Sequence, residues 1–339
     1  MKAWFALSAL LIGLVEAKAQ SSPCAAPHPY AGDVSPHRER FIRVFGACLS
    51  LLDWGGHGPV MVFLPGYGDS AHIFDDIAPA FTDRFHVVGL TPRGFPPSNA
   101  PADGYTIAQL ANDVVSVIDT LGSRSAILVG HSMSGAVITQ FGESHPHRLA
   151  AAVYLDAAFD FGPGYQRGRR PGKPTPLDTT SSTYRAWQGR YSDSLLSRTI
   201  LNAARTEDLV WQLDSAEAAR RHALVAPLVG EVRSHQHQPW RVTAPLLSLY
   251  ALGSFDRAYG WLTPLSDQWD AALANYAANA SDIRAEQSTL VTRARNAKTI
   301  ELDSGHYVFI DRRDAVLAAM RKFLLPGLSR VPPPARPSS

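Results

Sequence analysis

The stretch Gly130-His131-Ser132-Met133-Ser134-Gly135 most constrains what this chain can fold into. It follows Ala126-Ile127-Leu128-Val129, an apolar run of a length suited to a fully buried strand. Behind it come Ala136, Val137, Ile138 and Phe141, spaced for one face of a helix that must end near Pro146. A strand that turns directly into a helix leaves no room for bulk around the tip of the turn. Gly130 and Ser134 are small enough, and Gly135 lets the helix lie close to the sheet. Ser132 is then expected at the tip, its hydroxyl above the sheet edge. The first N–H groups of the helix, carrying about half a positive charge, point towards the oxygen it attacks. In the G-x-S-x-G pattern the last small residue is usually Gly, and here it is Ser134. By itself the motif also fits a Gly-rich turn of a nucleotide-binding fold, so its surroundings must decide.

Those surroundings alternate strand and helix. Phe41–Phe45 and Leu49–Trp54 read as two antiparallel strands joined through Gly46, and Val60–Leu64 as a buried strand running into Pro65-Gly66-Tyr67-Gly68-Asp69-Ser70. A helix is expected through Ala78 and Phe81, then a strand over Phe85–Leu90 ending at Thr91-Pro92-Arg93-Gly94-Phe95. Ile107–Leu121 places Leu110, Val114, Val115 and Ile118 on one helical face. After the Ser132 turn and its helix, Ala150–Leu155 is a further strand, ending at Asp156. The pattern predicts an α/β fold with a doubly wound, mostly parallel sheet. From 159 to 242 the rhythm breaks, with a basic loop (Arg167, Arg169, Arg170, Lys173) and helical stretches over Thr183–Leu209 and Ala216–Leu228. An insertion of this size between strands is expected to form a helical cap over the strand ends. The core, over 38–158 and 243–326, resumes with Leu246–Ala251, a helical segment over 263–296, a strand over Thr299–Leu302 and a helix over Ala315–Leu325. The Pro-rich tail, 327–339, reads as disordered.

The two ends bear on compartment. Lys2, the apolar run Ala3–Val15 and Ala17-Lys18-Ala19 make residues 1–19 a signal peptide, with an apolar run too short to span a bilayer. Export, to the periplasm or the medium, is the expectation. Cleavage leaves 30 basic and 29 acidic residues, a balance that argues against nucleic acid as a partner. Cys24 and Cys48 both survive, and in an exported chain they read as a possible disulfide pinning the arm, 20–37, to the first strands. No later segment is long enough for stable membrane insertion, and the oligomeric state is left open.

Taken together, the Ser132 turn, Pro65-Gly66-Tyr67-Gly68, Arg93-Gly94 and Gly305-His306-Tyr307 before the last helix resemble the α/β-hydrolase superfamily, over roughly Phe41 to Leu325. The resemblance implies an eight-stranded type of sheet and a serine nucleophile at Ser132. It implies His306 as the base, since Ser precedes His in that fold's chain order. It also implies an oxyanion hole made by the N–H groups of Tyr67 and Met133. The turn usually begins His-Gly and here begins Pro65-Gly66, which leaves a donor further along the backbone in place. For the acid the first choice is Asp256, after the penultimate strand and two residues later than usual. Asp156, at the end of the strand after the Ser132 helix, is the alternative, with Asp160 and Asp303 behind. His131 is assigned a packing role.

A serine hydroxyl needs a base within hydrogen-bond reach, which His306 supplies. The expected reaction is cleavage of a carboxylic ester through an acyl-enzyme, on a small-molecule substrate and without a cofactor. A serine rather than an aspartate nucleophile argues against epoxide hydrolase chemistry. Amide hydrolysis, a hydroxynitrile-lyase reaction and a non-turnover ligand receptor are the alternatives on the same residues. His235 and His237 are spaced like metal ligands but have no carboxylate or further His nearby in the sequence, so both are expected to be solvated and no metal is assigned. The cap is expected to govern substrate size, and Tyr184, Trp187 and Trp211 either offer aromatic area to the substrate beside the basic loop or form the cap's own small core.

Overall fold

Four apolar runs are buried on both faces: β3 (Val60–Leu64), β5 (Ala126–His131), β6 (Leu149–Leu155) and β7 (Leu246–Ala251). Strands of this kind are stable only in a sheet covered on both sides. The computed structural model, which describes Cys24 and residues 35–159, 177–178, 180, 182, 184–186, 215–234 and 237–326, shows that sheet. β1 (Arg38–Val44), β2 (Ala47–Gly55), β4 (His86–Leu90) and β8 (Ala297–Leu302) complete eight strands in the order β1-β2-β4-β3-β5-β6-β7-β8. β1 and β2 are antiparallel to their neighbours, and β4 to β8 run parallel with β3. The expected eight-stranded, mostly parallel sheet is the observed one.

One face of the sheet is covered by α1 (Ile107–Thr120) and α2 (Ser134–Ser144), which bury Leu110, Val114, Ile118, Ile138 and Phe141 against it. The other face carries Phe63, Phe74, Phe81 and Phe309 in a second apolar layer. The helix expected through Ala78 and Phe81 is instead two short 3-10 turns, Ala71–Phe74 and Ala78–Phe81. Pro79, with no N–H to donate, sits in the first turn of the second and favours a short element.

α3 (Ser215–Ser234) continues beyond the expected Leu228 and runs through Pro227. A proline inside a helix costs about 3 kcal/mol, so the helix must be held from outside. It is. Val225 packs on Gly94, whose positive φ of 88° and missing Cβ leave space: a methyl there would lie 2.4 Å from Val225 Cγ1. Arg221 donates to the Ser98 carbonyl at 2.8 Å, and Arg220 to that of Ala100 at 3.0 Å. Glu231 accepts from the N–H of Ile107 at 2.9 Å, satisfying an otherwise open donor at the start of α1. Underneath, Arg93 is buried and pairs with Asp113 through two bonds of 2.7 and 2.6 Å, which fixes the loop that α3 rests on.

The remaining helices are α4 (Phe255–Tyr259), α5 (Trp269–Arg293), α6 (Val308–Asp311) and α7 (Arg313–Leu324). Cys24 and Cys48 are joined in a disulfide with Cα atoms 5.4 Å apart. Closing that loop contributes about 3 kcal/mol in the chain-entropy account. Among the described residues no helix is long and apolar enough to cross a membrane. The segment read as a signal peptide, the basic loop, Asp160, Trp187, Trp211, His235 and the Pro-rich tail lie outside the described residues.

Candidate active site

Where β5 ends and α2 begins, the backbone turns so sharply that Ser132 takes a left-handed φ of 53°. A non-glycine residue there carries roughly 1–3 kcal/mol of strain, which the packing around the turn must hold. The small residues explain how. A methyl on Gly130 would meet Ile138 Cδ1 at 2.7 Å and Ser134 Cβ at 3.1 Å, and one on Gly135 would sit 2.0 Å from the Ala157 carbonyl. Ser134 does more than fit: its hydroxyl donates to the carbonyl of Pro65 at 2.5 Å. That bond ties the start of α2 to the loop carrying Tyr67. A glycine in the usual last position of the motif lacks this bond.

β5 and β6 are parallel neighbours paired as His131↔Leu155. Ser132 and Asp156 therefore leave adjacent strands at the same level, and Asp156 has its own left-handed φ of 49°. The Asp156 carboxylate is almost fully buried, at 2% exposure. Its Oδ1 accepts from the N–H of Ala251 at 2.9 Å, and its Oδ2 lies 2.7 Å from His306 Nδ1. His306 comes from the loop after β8, with its side chain 45% exposed. Ser132, Asp156 and His306 line one cavity of about 190 Å³, together with Tyr67 and Met133. A second cavity, about 510 Å³, is lined by Asp156 and His306 together with Arg257, Tyr259 and Tyr276, and Ser132 does not line it.

Asp256, the first choice from sequence, stands elsewhere. It is exposed on the first turn of α4, while the Nδ1 of His306 is taken by Asp156. The physical reason is local: Ser254 caps α4, which turns the chain into a helix just where the loop would have to reach towards His306. Asp303 is also committed, accepting from the N–H of Ser254 at 2.7 Å and pairing with Arg312 at 3.2 Å. His237, expected to be solvated, is instead buried, and Tyr184 packs edge-on against Trp261 at 5.1 Å.

Behind His306, His131, assigned only a packing role from sequence, is brought together with Asp69 and Tyr307. His131 is fully buried and donates through Nε2 to the His306 carbonyl at 3.2 Å. A carbonyl can only accept, so Nε2 carries the hydrogen and Nδ1 is a bare acceptor, 3.8 Å from Asp69 Oδ2. Tyr307 donates to the same Asp69 oxygen at 3.4 Å. Burial pushes the Asp69 carboxyl up to about 7, partly countered by the charge of His306 and the Tyr307 bond. Burial, aided by the charge of His306, holds His131 well below the ordinary histidine range. The available signal was proximity alone: Asp69 ends the Tyr67 turn, and His131 and Tyr307 adjoin Ser132 and His306.

A serine on a strained strand-to-helix turn, sharing a cavity with a histidine held by a buried carboxylate at the carboxyl edge of a parallel sheet, has the layout of the α/β-hydrolase fold. The chain belongs to the α/β-hydrolase fold family, whose model matches residues 59–312. It is 31% identical over 101 residues to a 2-(acetamidomethylene)succinate hydrolase of Mesorhizobium japonicum, a match spanning 30% of this chain and 36% of that protein. It is 34% identical over 113 residues to epoxide hydrolase 1 of Caenorhabditis elegans, spanning 32% of this chain and 28% of that protein. The matched segment thus covers only about a third of these curated relatives. Among solved structures, a membrane phospholipase A described as a bacterial virulence factor superposes with a TM-score of 0.60 at 18% identity, over 88% of each chain. A likeness at that identity speaks for the fold alone.

Proposed function

We propose that this hydrolase is an exported serine esterase cleaving a carboxylic ester through an acyl-enzyme intermediate. The single observation that carries the reading is the 2.7 Å bond from His306 Nδ1 to Asp156, beside a cavity shared with Ser132. With Nδ1–H donated to Asp156, the Nε2 of His306 is left as an acceptor, able to take the Ser132 proton. Ser132 Oγ attacks the ester carbonyl, and the N–H groups of Tyr67 and Met133 receive the developing oxyanion. The imidazolium, stabilised by Asp156, protonates the leaving alcohol. Water then repeats the sequence, with His306 again the base, and the acid leaves. Asp156 replaces Asp256 as the acid in this reading, while Ser132, His306, Tyr67 and Met133 keep the roles expected from sequence. The Cys24–Cys48 disulfide supports export, because such bonds persist in oxidising compartments. A serine nucleophile disfavours the chemistry named for the epoxide hydrolase relative.

Amide hydrolysis is the second reading, favoured by the name of the Mesorhizobium relative. One assay series separates the two and tests the first: purified protein against 4-nitrophenyl acetate and the matching anilide, with Ser132→Ala alongside. The expected result is ester turnover that falls about 10⁶-fold in the variant. Retention of more than a few per cent of wild-type turnover by a folded Ser132→Ala protein would remove the nucleophile assignment.

A further inference from the structure

The cavity beside Ser132 has a wall that the reaction does not use. Val229, Val232 and Arg233 are spaced i, i+3, i+4 on α3 and so stand on one helical face, and all three line the cavity. With Met133 and Phe159 the wall is otherwise apolar. Arg233 makes no ion pair or hydrogen bond among the described residues, unlike Arg220 and Arg221, which share Glu217 on the same helix. The helix is not free to swing it away, because Val225, Arg221 and Glu231 dock α3 onto Gly94, Ser98 and Ile107. Arg233 is exposed, and a guanidinium at an apolar pocket without a counter-charge among the described residues favours an anionic group in whatever fills that pocket. The part of the cavity that these residues line is about 190 Å³, room for a small group beside Ser132.

We propose that Arg233 is a specificity residue that receives a carboxylate of the substrate, making the preferred substrate an ester bearing an anionic group. This rests on the serine-esterase reading and narrows it. The plain alternative is a solvated arginine whose role is to oppose the negative end of the helix dipole. That role predicts effects on stability and none on substrate choice.

The test compares 4-nitrophenyl hydrogen glutarate with neutral 4-nitrophenyl valerate, and the acetate ester of 4-hydroxybenzoate with that of its methyl ester. The first pair carries the charge on the acyl side and the second on the alcohol side. Wild type should favour the anionic member of one pair in kcat/KM by about tenfold or more, and Arg233→Gln should abolish that preference, losing far more on the anionic ester than on the neutral one. Arg233→Lys should restore only part of it, since an ammonium cannot offer the planar fork. Equal rates within both pairs for wild type, or equal losses on charged and neutral esters in Arg233→Gln, overturn the proposal. A readout independent of ester turnover is the labelling of Ser132 by a fluorophosphonate. Glutarate should slow labelling of wild type and leave Arg233→Gln unprotected, whereas equal protection, or none in either protein, also overturns it. Labelling without turnover of any ester would count against the esterase reading and leave the Arg233 comparison intact.

Discussion

Asp156 stands beside Ser132 one residue past the His131↔Leu155 pair, and both residues leave their strands in the left-handed conformation, with φ of 49° and 53°. Two neighbouring parallel strands thus deliver a hydroxyl and a carboxylate to one edge, and His306 arrives from β8, two strands beyond β6. Asn at position 156 keeps the shape and can still accept from the Ala251 N–H, but its amide can favour the wrong tautomer of His306. Asp156→Asn is expected to lower kcat by about 10⁴-fold, and Asp256→Asn by no more than about twofold. Circular dichroism must first show both variants folded, since Asp156 is buried. A larger loss in the Asp256 variant would reverse the assignment.

Why the strand at 126–131, the Ser132 turn and the β8 loop were legible in the sequence, and the acid was not, follows from the kind of signal each leaves. Strand burial on both faces leaves an apolar run, and the tight turn leaves small residues at Gly130, Ser134 and Gly135. The choice between Asp156 and Asp256 depends on whether the segment after β7 stays extended or coils. Ser254 decides it by capping a five-residue helix, a local event that chain order does not encode. Likewise the 3-10 turns after β3 hold the same apolar residues as the expected helix, and only the tighter geometry around Pro79 separates the two. The Asp69–His131–Tyr307 cluster joins residues up to 238 positions apart and leaves no spacing to read.

The hydroxyl of Ser134 makes a further claim testable. Its 2.5 Å bond to the Pro65 carbonyl is buried, so removing it leaves an acceptor short of a donor, at about 1–3 kcal/mol. It also loosens the loop that carries the Tyr67 N–H. Ser134→Ala should therefore lower both the urea midpoint and kcat, the latter by about tenfold, with KM little changed, because oxyanion contacts act mainly in the transition state. Ser134→Gly, which recreates the usual motif, should show the same drop in kcat. A variant with wild-type kcat would show that the bond is dispensable for placing Tyr67.

The last expectation concerns pH. Asp69 is faced by the Tyr307 hydroxyl at 3.4 Å, by His131 Nδ1 at 3.8 Å and by the charge of His306. In the unfolded chain its carboxyl ionises near the ordinary value of about 4, and burial raises this to about 7 in the folded protein. Between those values the native state keeps a proton that the unfolded state has released, so this group's contribution falls as pH rises and is fully lost above about 7. His131, with its pKa depressed by burial, has the opposite sign: its contribution is lost as pH falls below about 6.5. Total stability therefore mixes the two, and the difference between wild type and Asp69→Asn isolates the carboxyl. At about 1.4 kcal/mol per unit the shift has an upper bound of about 4 kcal/mol, and partial solvent access to the carboxyl reduces the expected effect to about 1–2 kcal/mol. Asn retains an oxygen for the Tyr307 hydroxyl and an amide that can donate to His131 Nδ1, and it cannot ionise. Urea unfolding at intervals from pH 4.5 to 8 should show Asp69→Asn gaining on wild type steadily up to about pH 7 and holding that gain above it. A stability difference that does not change with pH would mean that Asp69 is ionised in the folded protein throughout, with His131 and Tyr307 arranged around a carboxylate.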